Sequence, residues 1–302
     1  MTKVFVLVGL PGCGKSTWAQ QNKGHYQMFD VVLSSDEYRQ KLLGDENNQL
    51  NNELVFSTLY KDAIQYLKEG KSICIDATNI TRKARRGILN RIKENHIECE
   101  KIAVVFEVEP KIVFSQNLSR DRVVPGQVIH KMMCNFEIPF YGEGFDTINI
   151  VYHRSNEDAI SYMDMFRKMK GFDQNNPHHS LDLFSHCAKC HDILAQNDIN
   201  NEELVMASSL HDIGKLHTGK YNGDKGQCQY IGHQGYGAYI SLFLDYRPFV
   251  IDRYKVAFYI NYHMEPYNLN HANPETVEKY KKLFGEEWDN LIKLHEADAA
   301  AH

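Results

Sequence analysis

The feature that most constrains the fold is a glycine-rich loop between a predicted strand and a predicted helix near the start of the chain. The apolar run VFVLVGL leads into GLPGCGKST, which covers residues 9–17 and is followed by a helical pattern. In that context glycines let backbone N–H groups turn around phosphates, a lysine reaches the terminal phosphates and a hydroxyl binds Mg²⁺. The loop therefore predicts a nucleoside triphosphate site formed by Gly9, Gly12, Cys13, Gly14, Lys15, Ser16 and Thr17, with Ser16 as the Mg²⁺ ligand.

Around this loop, the first half of the chain alternates strand-like runs with helical patterns. The runs KVFVLVGL, SICIDAT, KIAVVFEV and TINIVY are rich in β-branched and apolar residues, and their alternation with helices predicts a parallel sheet with crossover helices. After residue 153 the strands stop, and the polar stretch GFDQNNP indicates a boundary. We expect an α/β domain over residues 1–153, a helical linker over 154–176 and an all-α domain over 177–302.

The composition is that of a soluble globular protein and narrows the function little. The net charge of −5 creates no general attraction for nucleic acid, so any such binding must rely on local basic patches. No apolar run is long enough to span a bilayer, and the N-terminal run lacks the basic start and cleavage site of a signal peptide. The cysteines follow no disulfide pattern. We therefore expect a cytoplasmic protein with reduced thiols and no membrane partner.

An acidic and a basic residue one helical turn apart follow the next apolar stretch. The segment VVLSSDEYRQKL places Asp36 and Arg39 at positions i and i+3, on one face if the segment is helical. A carboxylate beside a triphosphate suits a general base for an acceptor hydroxyl. An arginine one turn later suits a phosphate already present on the acceptor. Most pairs with this spacing are surface ion pairs, so the pair alone leaves both interpretations open.

Two further segments supply charged residues that fit phosphate transfer. SICIDATN ends a predicted strand with Asp76, a carboxylate suited to lie near a bound Mg²⁺. SRDRVVP puts Arg120 and Arg122 in a segment that could fold over the triphosphate, where arginines neutralise the transferring charge. Between them lies the basic run TRKARR over residues 81–86, which is equally compatible with a solvated helix face.

These four elements, in this order over residues 1–150, resemble the 5′-hydroxyl polynucleotide kinases of phage and bacterial RNA repair. The resemblance implies that Lys15 and Ser16 bind ATP and Mg²⁺. It also implies that Asp36 is the base, that Arg39 holds the 3′-phosphate of the terminal nucleotide, and that Arg120 and Arg122 belong to a lid. Small-molecule kinases have similar lids, and SSDEYR is the stretch that favours the polynucleotide interpretation.

The second half contains a cluster of potential zinc ligands, HCAKCH, over residues 186–191. A structural zinc site needs a second pair of ligands around a turn, and the chain has no second C-x-x-C. Apolar residues around the cluster follow a helical spacing, which places His186 and Cys190 on one face and Cys187 on another. At most one or two of the four residues are therefore expected to bind metal.

Further along, VMASSLHDIGKLHT carries adjacent His211 and Asp212 on an otherwise apolar helix. Burying both residues is costly unless something satisfies them, and a metal ion would do so. The segment resembles the HD-domain phosphohydrolases, an all-helical metal-dependent family. That resemblance implies a ligand set of His186, His211, Asp212 and Asp298, with His233 and His263 added in members that hold two metals.

The same resemblance assigns the remaining polar residues of this half. Lys215, in the HD-x-G-K segment, is expected to contact a substrate phosphate, whereas Cys187, Cys190 and His191 become bystanders. His178 and His179 either face substrate or cap the start of the domain. Histidine and carboxylate ligands favour Mn, Fe, Co, Ni or Zn over Mg. One or two such ions would activate water for attack on a phosphoester.

The two halves thus predict opposite reactions, the addition and the removal of phosphate, which suggests that they act on two different ends of a strand. On one small substrate a kinase and a phosphatase would cancel each other, but a broken strand presents a 5′-hydroxyl and a 2′,3′-cyclic, 2′- or 3′-phosphate. We therefore expect a bifunctional end-healing enzyme acting on nucleic-acid ends, RNA favoured, with a nucleic-acid ligase as functional partner. Two alternatives remain: a nucleoside or nucleotide kinase fused to a nucleotide phosphohydrolase, and a helical half that only senses a phosphorylated ligand.

Overall fold

The computed structural model describes residues 1–24, 26–120, 122–154, 159–176, 180–197 and 200–301. The chain forms two compact units, which are considered separately. The first comprises Met1–Ile129 and Pro139–Ser155, and the second comprises His130–Ile138 and Asn156–His302. His178 and His179 lie outside the described residues.

The first unit is built on a five-stranded sheet with the strand order β2-β3-β1-β4-β5. Every neighbouring pair of these strands is parallel. The central strand is buried on both faces, since Val4–Val8 are at most 1% exposed. The strands are β1 (Thr2–Val8), β2 (Val31–Ser34), β3 (Ile73–Asp76), β4 (Cys99–Val108) and β5 (Thr147–His153).

Helices connect these strands and cover the sheet. Ser34, Asn51 and Thr81 cap the second, third and fourth helices by accepting hydrogen bonds from backbone N–H groups of the first turn. The last helix of the series begins in the first unit and ends in the second. The helices are α1 (Lys15–Gly24), α2 (Ser35–Leu43), α3 (Asn52–Lys68), α4 (Arg82–Glu94), α5 (Pro110–Leu118) and α6 (Gly126–Cys134), and a 3₁₀ turn covers Tyr141–Glu143.

The strand order places the chemistry at the carboxyl edge of the sheet. Strand β1 lies between β3 and β4, and the chain leaves β1 towards β2 but leaves β3 towards β4. Such a switch in direction opens a crevice at the carboxyl ends of the strands. The glycine loop follows β1, Asp36 lies just after β2, and Asp76 ends β3 opposite Ser34 in register. Three segments that are distant in sequence therefore meet at one edge.

Among its described residues the second unit is mainly helical, and it contains a short hairpin that the sequence analysis did not anticipate. Strands β6 (Lys220–Asn222) and β7 (Gln227–Gln229) pair in antiparallel fashion. Within residues 154–176, helix α7 covers only Tyr162–Arg167 and is capped by Ser161. The remaining helices are α8 (Leu183–Asn197), α9 (Glu202–Leu210), α10 (Lys215–Thr218), α11 (His233–Ser241), α12 (Arg253–Tyr262), α13 (Glu265–Leu269), α14 (Pro274–Phe284) and α15 (Glu287–Ala300).

The predicted fold class is confirmed: a parallel sheet with flanking helices is followed by a helical region that fits an all-α HD domain. In the part of the chain that the structure describes, no helix combines the length and apolarity needed to cross a bilayer.

Candidate functional site

The glycine loop adopts the backbone conformation that its residues predict. Gly12 and Gly14 have φ values of 82° and 87°, a region in which a side chain is strained. A Cβ atom on Gly12 would also lie 2.9 Å from the carbonyl oxygen of Val113. Lys15 is 8% exposed, and its ammonium donates hydrogen bonds to the carbonyl oxygens of Gly9 (2.9 Å) and Leu10 (2.7 Å). The loop thus curls around the lysine head group.

Two oxygen-bearing side chains meet next to this loop. The Ser16 hydroxyl is hydrogen-bonded to the carboxyl group of Asp76, which ends β3. Burial raises the pKa of Asp76 above its ordinary value, although the Ser16 hydroxyl and the Lys15 ammonium oppose that shift. Thr17 is exposed on the first turn of α1, whereas Cys13 is buried and its thiol lies 3.5 Å from the Lys15 ammonium nitrogen. Ser16 and Asp76 are therefore placed together as oxygen donors.

Asp36 and Arg39 form an ion pair on α2, as their spacing allows. The Arg39 Nη1 atom lies 2.6 Å from Asp36 Oδ1, and the Arg122 Nη1 atom lies 3.2 Å from Asp36 Oδ2. Arg39 is 7% exposed, and its Nη2 donates to Asn52 Oδ1 at 3.0 Å. Its Nε is buried and has no hydrogen-bond partner among the described residues. Buried N–H groups are rarely left unpaired, so this group is suited to an acceptor atom of a ligand.

The two predicted lid arginines occupy the connection between α5 and α6. Arg122 contacts Asp36, and Arg120 lies close enough to Asp76 to lower the pKa of that carboxyl group, against the larger effect of burial. Asn117 braces the connection through two hydrogen bonds with the backbone of Val124, at 2.8 and 3.0 Å. Sequence reasoning missed Asn117 and Asn52, because an isolated asparagine carries no recognisable local pattern.

The basic run over residues 81–86 divides between two environments in the first unit. Arg85 is fully buried and forms a bidentate pair with the buried Glu143, with distances of 2.8 and 2.6 Å. Lys83 and Arg86 are exposed. A solvated helix face is therefore correct for only part of the run.

In the second unit, the predicted ligands converge from five separate segments. His186 lies on α8, His211 and Asp212 follow α9, and His233 begins α11. Gly214 makes this approach possible, because a Cβ atom there would collide with the backbone carbonyl of His233. His263 directly follows α12 and Asp298 lies near the end of α15. The structure therefore brings all six predicted metal ligands together.

The imidazole and carboxylate donor atoms of the six predicted ligands form two groups, and Asp212 contacts both. In the first, His186 Nε2 lies 2.9 Å from Asp298 Oδ1 and 3.3 Å from His211 Nε2. In the second, Asp212 Oδ1 lies 3.2 Å from His233 Nε2 and 3.9 Å from His263 Nε2. The other oxygen of Asp212 faces the first group, at 3.4 Å from His211 Nε2. Asp212 therefore lies between two clusters of donors.

The four imidazole rings are oriented in the same way. Each Nδ1 atom faces a backbone carbonyl oxygen: Ser208 for His211 (2.8 Å), Tyr230 for His233 (2.8 Å), Ile260 for His263 (2.7 Å) and Ala301 for His186 (3.4 Å). A carbonyl accepts the Nδ1 proton and so leaves the Nε2 lone pair free in the neutral ring. This is the arrangement that orients metal-binding histidines.

The ionisable groups of this cluster strongly perturb one another. Burial opposes a charge on His211, yet the carboxylates of Asp212 and Asp298 raise the pKa of its imidazole well above the ordinary value. Burial also acts against ionised Asp212, but Lys215 and His211 hold the pKa of its carboxyl group well below the usual range. For His263, burial together with His211 and His233 lowers the pKa to about 3. Ionised carboxylates beside a neutral imidazole are stabilised by a proton or by a metal ion.

Three more side chains surround the donors. The Lys215 ammonium lies 2.7 Å from Asp212 Oδ2 and donates to Gln174 Oε1 at 2.8 Å. Gln174 is 1% exposed, and its backbone carbonyl accepts a hydrogen bond from the Tyr230 hydroxyl at 2.7 Å. On the other side, the Tyr267 hydroxyl donates to Asp298 Oδ2 at 3.1 Å. Sequence reasoning found Lys215 but not Gln174 or Tyr267, which reach the site from distant segments.

The HCAKCH cluster lies on α8, but Cys187 does not point away from the site as the helical spacing predicted. Cys187 and Cys190 are fully buried, and burial raises the pKa of Cys190 to about 12. The Cys187 sulfur lies 4.0 Å from His211 Nδ1, the nitrogen that faces Ser208. It therefore lies on the Nδ1 side of the His211 ring, and Cys187, His211 and Asp212 also offer potential ligand atoms within 4.8 Å of one another. His191 is partly exposed and lies 3.3 Å from Asp192.

The fold and the loop together define a P-loop nucleotide-binding domain in the first half of the chain. Residues 4–139 match the family described as AAA domain. A curated relative, the transcription factor bHLH140 of Arabidopsis thaliana, is 29% identical over 177 residues, which is 56% of this chain and 18% of that protein. The chain thus spans less than a fifth of the length of this relative.

Similar folds are found among solved structures of kinases. A fungal RNA kinase aligns with 84% of this chain and 52% of its own, at 14% identity and a TM-score of 0.38. A sugar kinase from Janibacter sp. HTCC2649 aligns with 50% of this chain and 86% of its own, at 12% identity and a TM-score of 0.38. A gluconokinase from Sinorhizobium meliloti 1021 covers 51% and 83%, at 11% identity and a TM-score of 0.36. At these values, the likenesses do not bear on what this chain binds.

Proposed function

We propose that the chain heals broken nucleic-acid ends, by phosphorylating a 5′-hydroxyl with ATP and by hydrolysing the phosphate left at the opposite end. The observation that carries the proposal is the presence in one chain of two separate clusters of side chains whose chemistry suits phosphate groups. One is the glycine loop with Asp36 and Arg39, and the other is the buried histidine–aspartate cluster.

The first site is suited to transfer of the terminal phosphoryl group of ATP to a hydroxyl. Asp36 would accept the proton of the attacking hydroxyl as it releases one of its two arginine partners. Lys15 and Arg120 would neutralise the charge of the transferring phosphoryl group. The paired oxygen donors of Ser16 and Asp76 fit a hard cation such as Mg²⁺. When bound, that ion neutralises phosphate charge.

The acceptor is proposed to carry a phosphate of its own. Arg39 is almost wholly buried, and its Nε is buried without a partner among the described residues. A guanidinium presents such donors in a planar fork that matches phosphate oxygens. A terminal nucleotide with a 3′-phosphate, as found at the 5′ end of any strand, would place an acceptor atom there.

The second site is proposed to be a phosphohydrolase centre that holds one or two transition metals. In neutral rings, the Nε2 atoms that face one another at 3.3 Å both present lone pairs, and a metal ion bound by both would satisfy them. His186, His211, Asp212 and Asp298 would hold one ion, and Asp212, His233 and His263 a second. Histidine-rich donors of this kind fit Mn, Fe, Co, Ni or Zn. When bound, these metals activate water and polarise the phosphoester. Lys215, whose head group lies at the cluster, would bind a substrate phosphate oxygen.

The two proposed activities would serve a single purpose if they act on the two ends left by one strand break. Cleavage of RNA through the 2′-hydroxyl leaves a 5′-hydroxyl on one side and a 2′,3′-cyclic, 2′- or 3′-phosphate on the other. Phosphorylating the first end and clearing the second produces the 5′-phosphate and 3′-hydroxyl that a ligase joins. We therefore propose RNA ends as the favoured substrates and a nucleic-acid ligase as the functional partner.

The test is an oligonucleotide that carries both a 5′-hydroxyl and a 3′-phosphate, incubated with the protein, ATP and Mg²⁺ or Mn²⁺. Adding one phosphoryl group at the 5′ end and removing another from the 3′ end leaves the total mass of the oligonucleotide unchanged. The product must therefore be cleaved into fragments, so that the mass of each end is measured separately. The proposal predicts a phosphorylated 5′ fragment and a dephosphorylated 3′ fragment. If a mononucleoside were phosphorylated at least as efficiently as the oligonucleotide, a nucleotide-metabolising kinase–phosphohydrolase would be the better account. Bound metal without any turnover would indicate a sensor.

A further inference from the structure

The outer face of α4 carries cationic side chains that neither proposed site uses. Lys83, Arg86 and Lys93 are exposed, and their spacing of three and seven residues places them on one side of the helix. From the first to the last of them the helix rises ~15 Å. Within the described part of the chain, none of these three side chains has an ion-pair partner.

This face is basic in a chain that is acidic as a whole. Helix α4 contains six arginines and lysines against one glutamate, Glu94, whereas the net charge of the whole chain is −5. The opposite side of α4 is committed to the interior, where Ile88, Leu89 and Ile92 are buried. A row of cations on one helix face matches the charge pattern of polyanion-binding surfaces.

A continuous line of contacts joins this helix to the proposed acceptor site. The Arg39 guanidinium lies 5.9 Å from the ring centroid of Phe56 on α3, and the Phe56 ring lies 5.8 Å from that of Tyr60. The Tyr60 hydroxyl donates to the backbone carbonyl of Ala84 at 3.3 Å. The guanidinium of Arg91, which is also on α4, lies 5.0 Å from the centroid of the Tyr60 ring. Side-chain contacts therefore connect α2, which carries Arg39, to α3 and then to α4.

We propose that Lys83, Arg86 and Lys93 bind the backbone phosphates of the nucleotides that follow the terminal one in a single-stranded nucleic acid. This inference rests on the proposed kinase function and extends it from the terminal nucleotide to the strand behind it. Phosphate contacts of this kind fix position and affinity without reading sequence. They would distinguish a polynucleotide from a mononucleotide with the same reacting end.

The experiment compares the full chain with Lys83→Gln/Arg86→Gln/Lys93→Gln on two acceptors, a 5′-hydroxyl single-stranded oligonucleotide and a nucleoside 3′-monophosphate. Glutamine is a good helix former and keeps much of the side-chain length. The control variant is Lys3→Gln/Lys23→Gln/Lys71→Gln. It removes the same charge near the amino edge of the sheet, where each lysine is substantially exposed. Strand binding is measured in parallel by fluorescence anisotropy over a range of salt concentrations.

We expect the α4 variant to raise the KM for the oligonucleotide by about tenfold or more, with less than a twofold change for the mononucleotide. The slope of log Kd against log salt should become shallower by about 2, since each single-strand phosphate contact contributes about 0.7. The control variant should match the wild type. If the oligonucleotide is phosphorylated and neither its KM nor its Kd changes, α4 is only a solvated face and the inference is wrong. If the wild type neither binds nor phosphorylates the strand, the proposed kinase function fails as well.

Discussion

The Nε2 atoms of His186 and His211 lie 3.3 Å apart in a fully buried position, while the Nδ1 atom of each ring faces a backbone carbonyl oxygen. In neutral rings, two imidazole nitrogens that both present lone pairs repel each other, and either a shared proton or a metal ion between them removes the repulsion. Carboxylate oxygens of Asp298 and Asp212 complete the surroundings. The same orientation recurs at His233 and His263. This arrangement leads to specific expectations for metal content.

The histidine of the HCAKCH cluster is expected to hold metal, and its cysteines are not. His186→Ala removes one of the converging Nε2 atoms, so metal content and phosphatase activity should both be lost. Cys187→Ser and Cys190→Ser should keep both, because the Cys187 sulfur lies on the Nδ1 side of the His211 ring. Elemental analysis of the purified variants decides the matter. A folded cysteine variant stripped of metal would mean that a thiolate belongs to the site.

The number of metal ions follows from the position of Asp212 between two donor groups. Wild-type protein prepared with excess Mn²⁺ should contain two ions per chain, and His233→Ala/His263→Ala should contain one. The reason is that the double variant leaves only His186, His211, Asp212 and Asp298 as donors. Elemental analysis or anomalous scattering gives the stoichiometry. One ion in both proteins would show that His233 and His263 serve the substrate instead.

Lys215 is expected to act on substrate rather than on metal binding. Lys215→Met keeps the length of the side chain but removes the ammonium, so phosphatase turnover should fall while metal content is retained. Gln174→Leu should cause a smaller loss, because the ammonium keeps its place on Asp212 and loses one hydrogen bond, worth ~1.5–3 kcal/mol for a charged group, while the long contact of Gln174 with the Leu181 carbonyl is also removed. Steady-state kinetics with metal analysis separates these effects. Loss of metal in Lys215→Met would assign the lysine to the integrity of the cluster.

Asp36 and Arg39 should affect different kinetic constants of the kinase. Asp36→Ala removes the proposed base and should lower kcat by roughly 10²–10⁴. Arg39→Ala should act mainly by raising the KM for the acceptor, with a secondary effect on kcat because Arg39 also orients Asp36. Kinetics with ATP and acceptor varied independently provides the test. Collapse of ATP binding with intact acceptor binding would reverse the assigned roles.

Features of the fold and of the candidate sites could be predicted from the sequence where the interacting residues lie close together along the chain. The glycine loop and the Asp36–Arg39 pair are set within one or two helical turns, and their patterns predict them. The hairpin of β6 and β7 was missed because each strand has only three residues. The turn residues of YNGDKGQ between them are the signal that could have revealed it.

Interactions between distant segments could not be predicted from one sequence. The buried pair of Arg85 with Glu143 spans 58 positions, and the contact of Lys215 with Gln174 spans 41. Neither partner has a local pattern that marks it, because an arginine or a glutamine in isolation is usually solvated. For the same reason, a run of basic residues could not be divided beforehand into buried Arg85 and exposed Lys83 and Arg86.

The central claim is that two independent sites in one chain make a broken strand ready for joining. A 5′-hydroxyl, 3′-phosphate RNA is incubated with ATP, metal and a ligase that accepts only a 5′-phosphate and a 3′-hydroxyl, and circular product is measured. Wild type should yield circles, Lys15→Ala and Asp212→Ala should each yield none, and a mixture of the two variants should restore the product. Circles with either variant alone, or none with the wild type, would contradict the account.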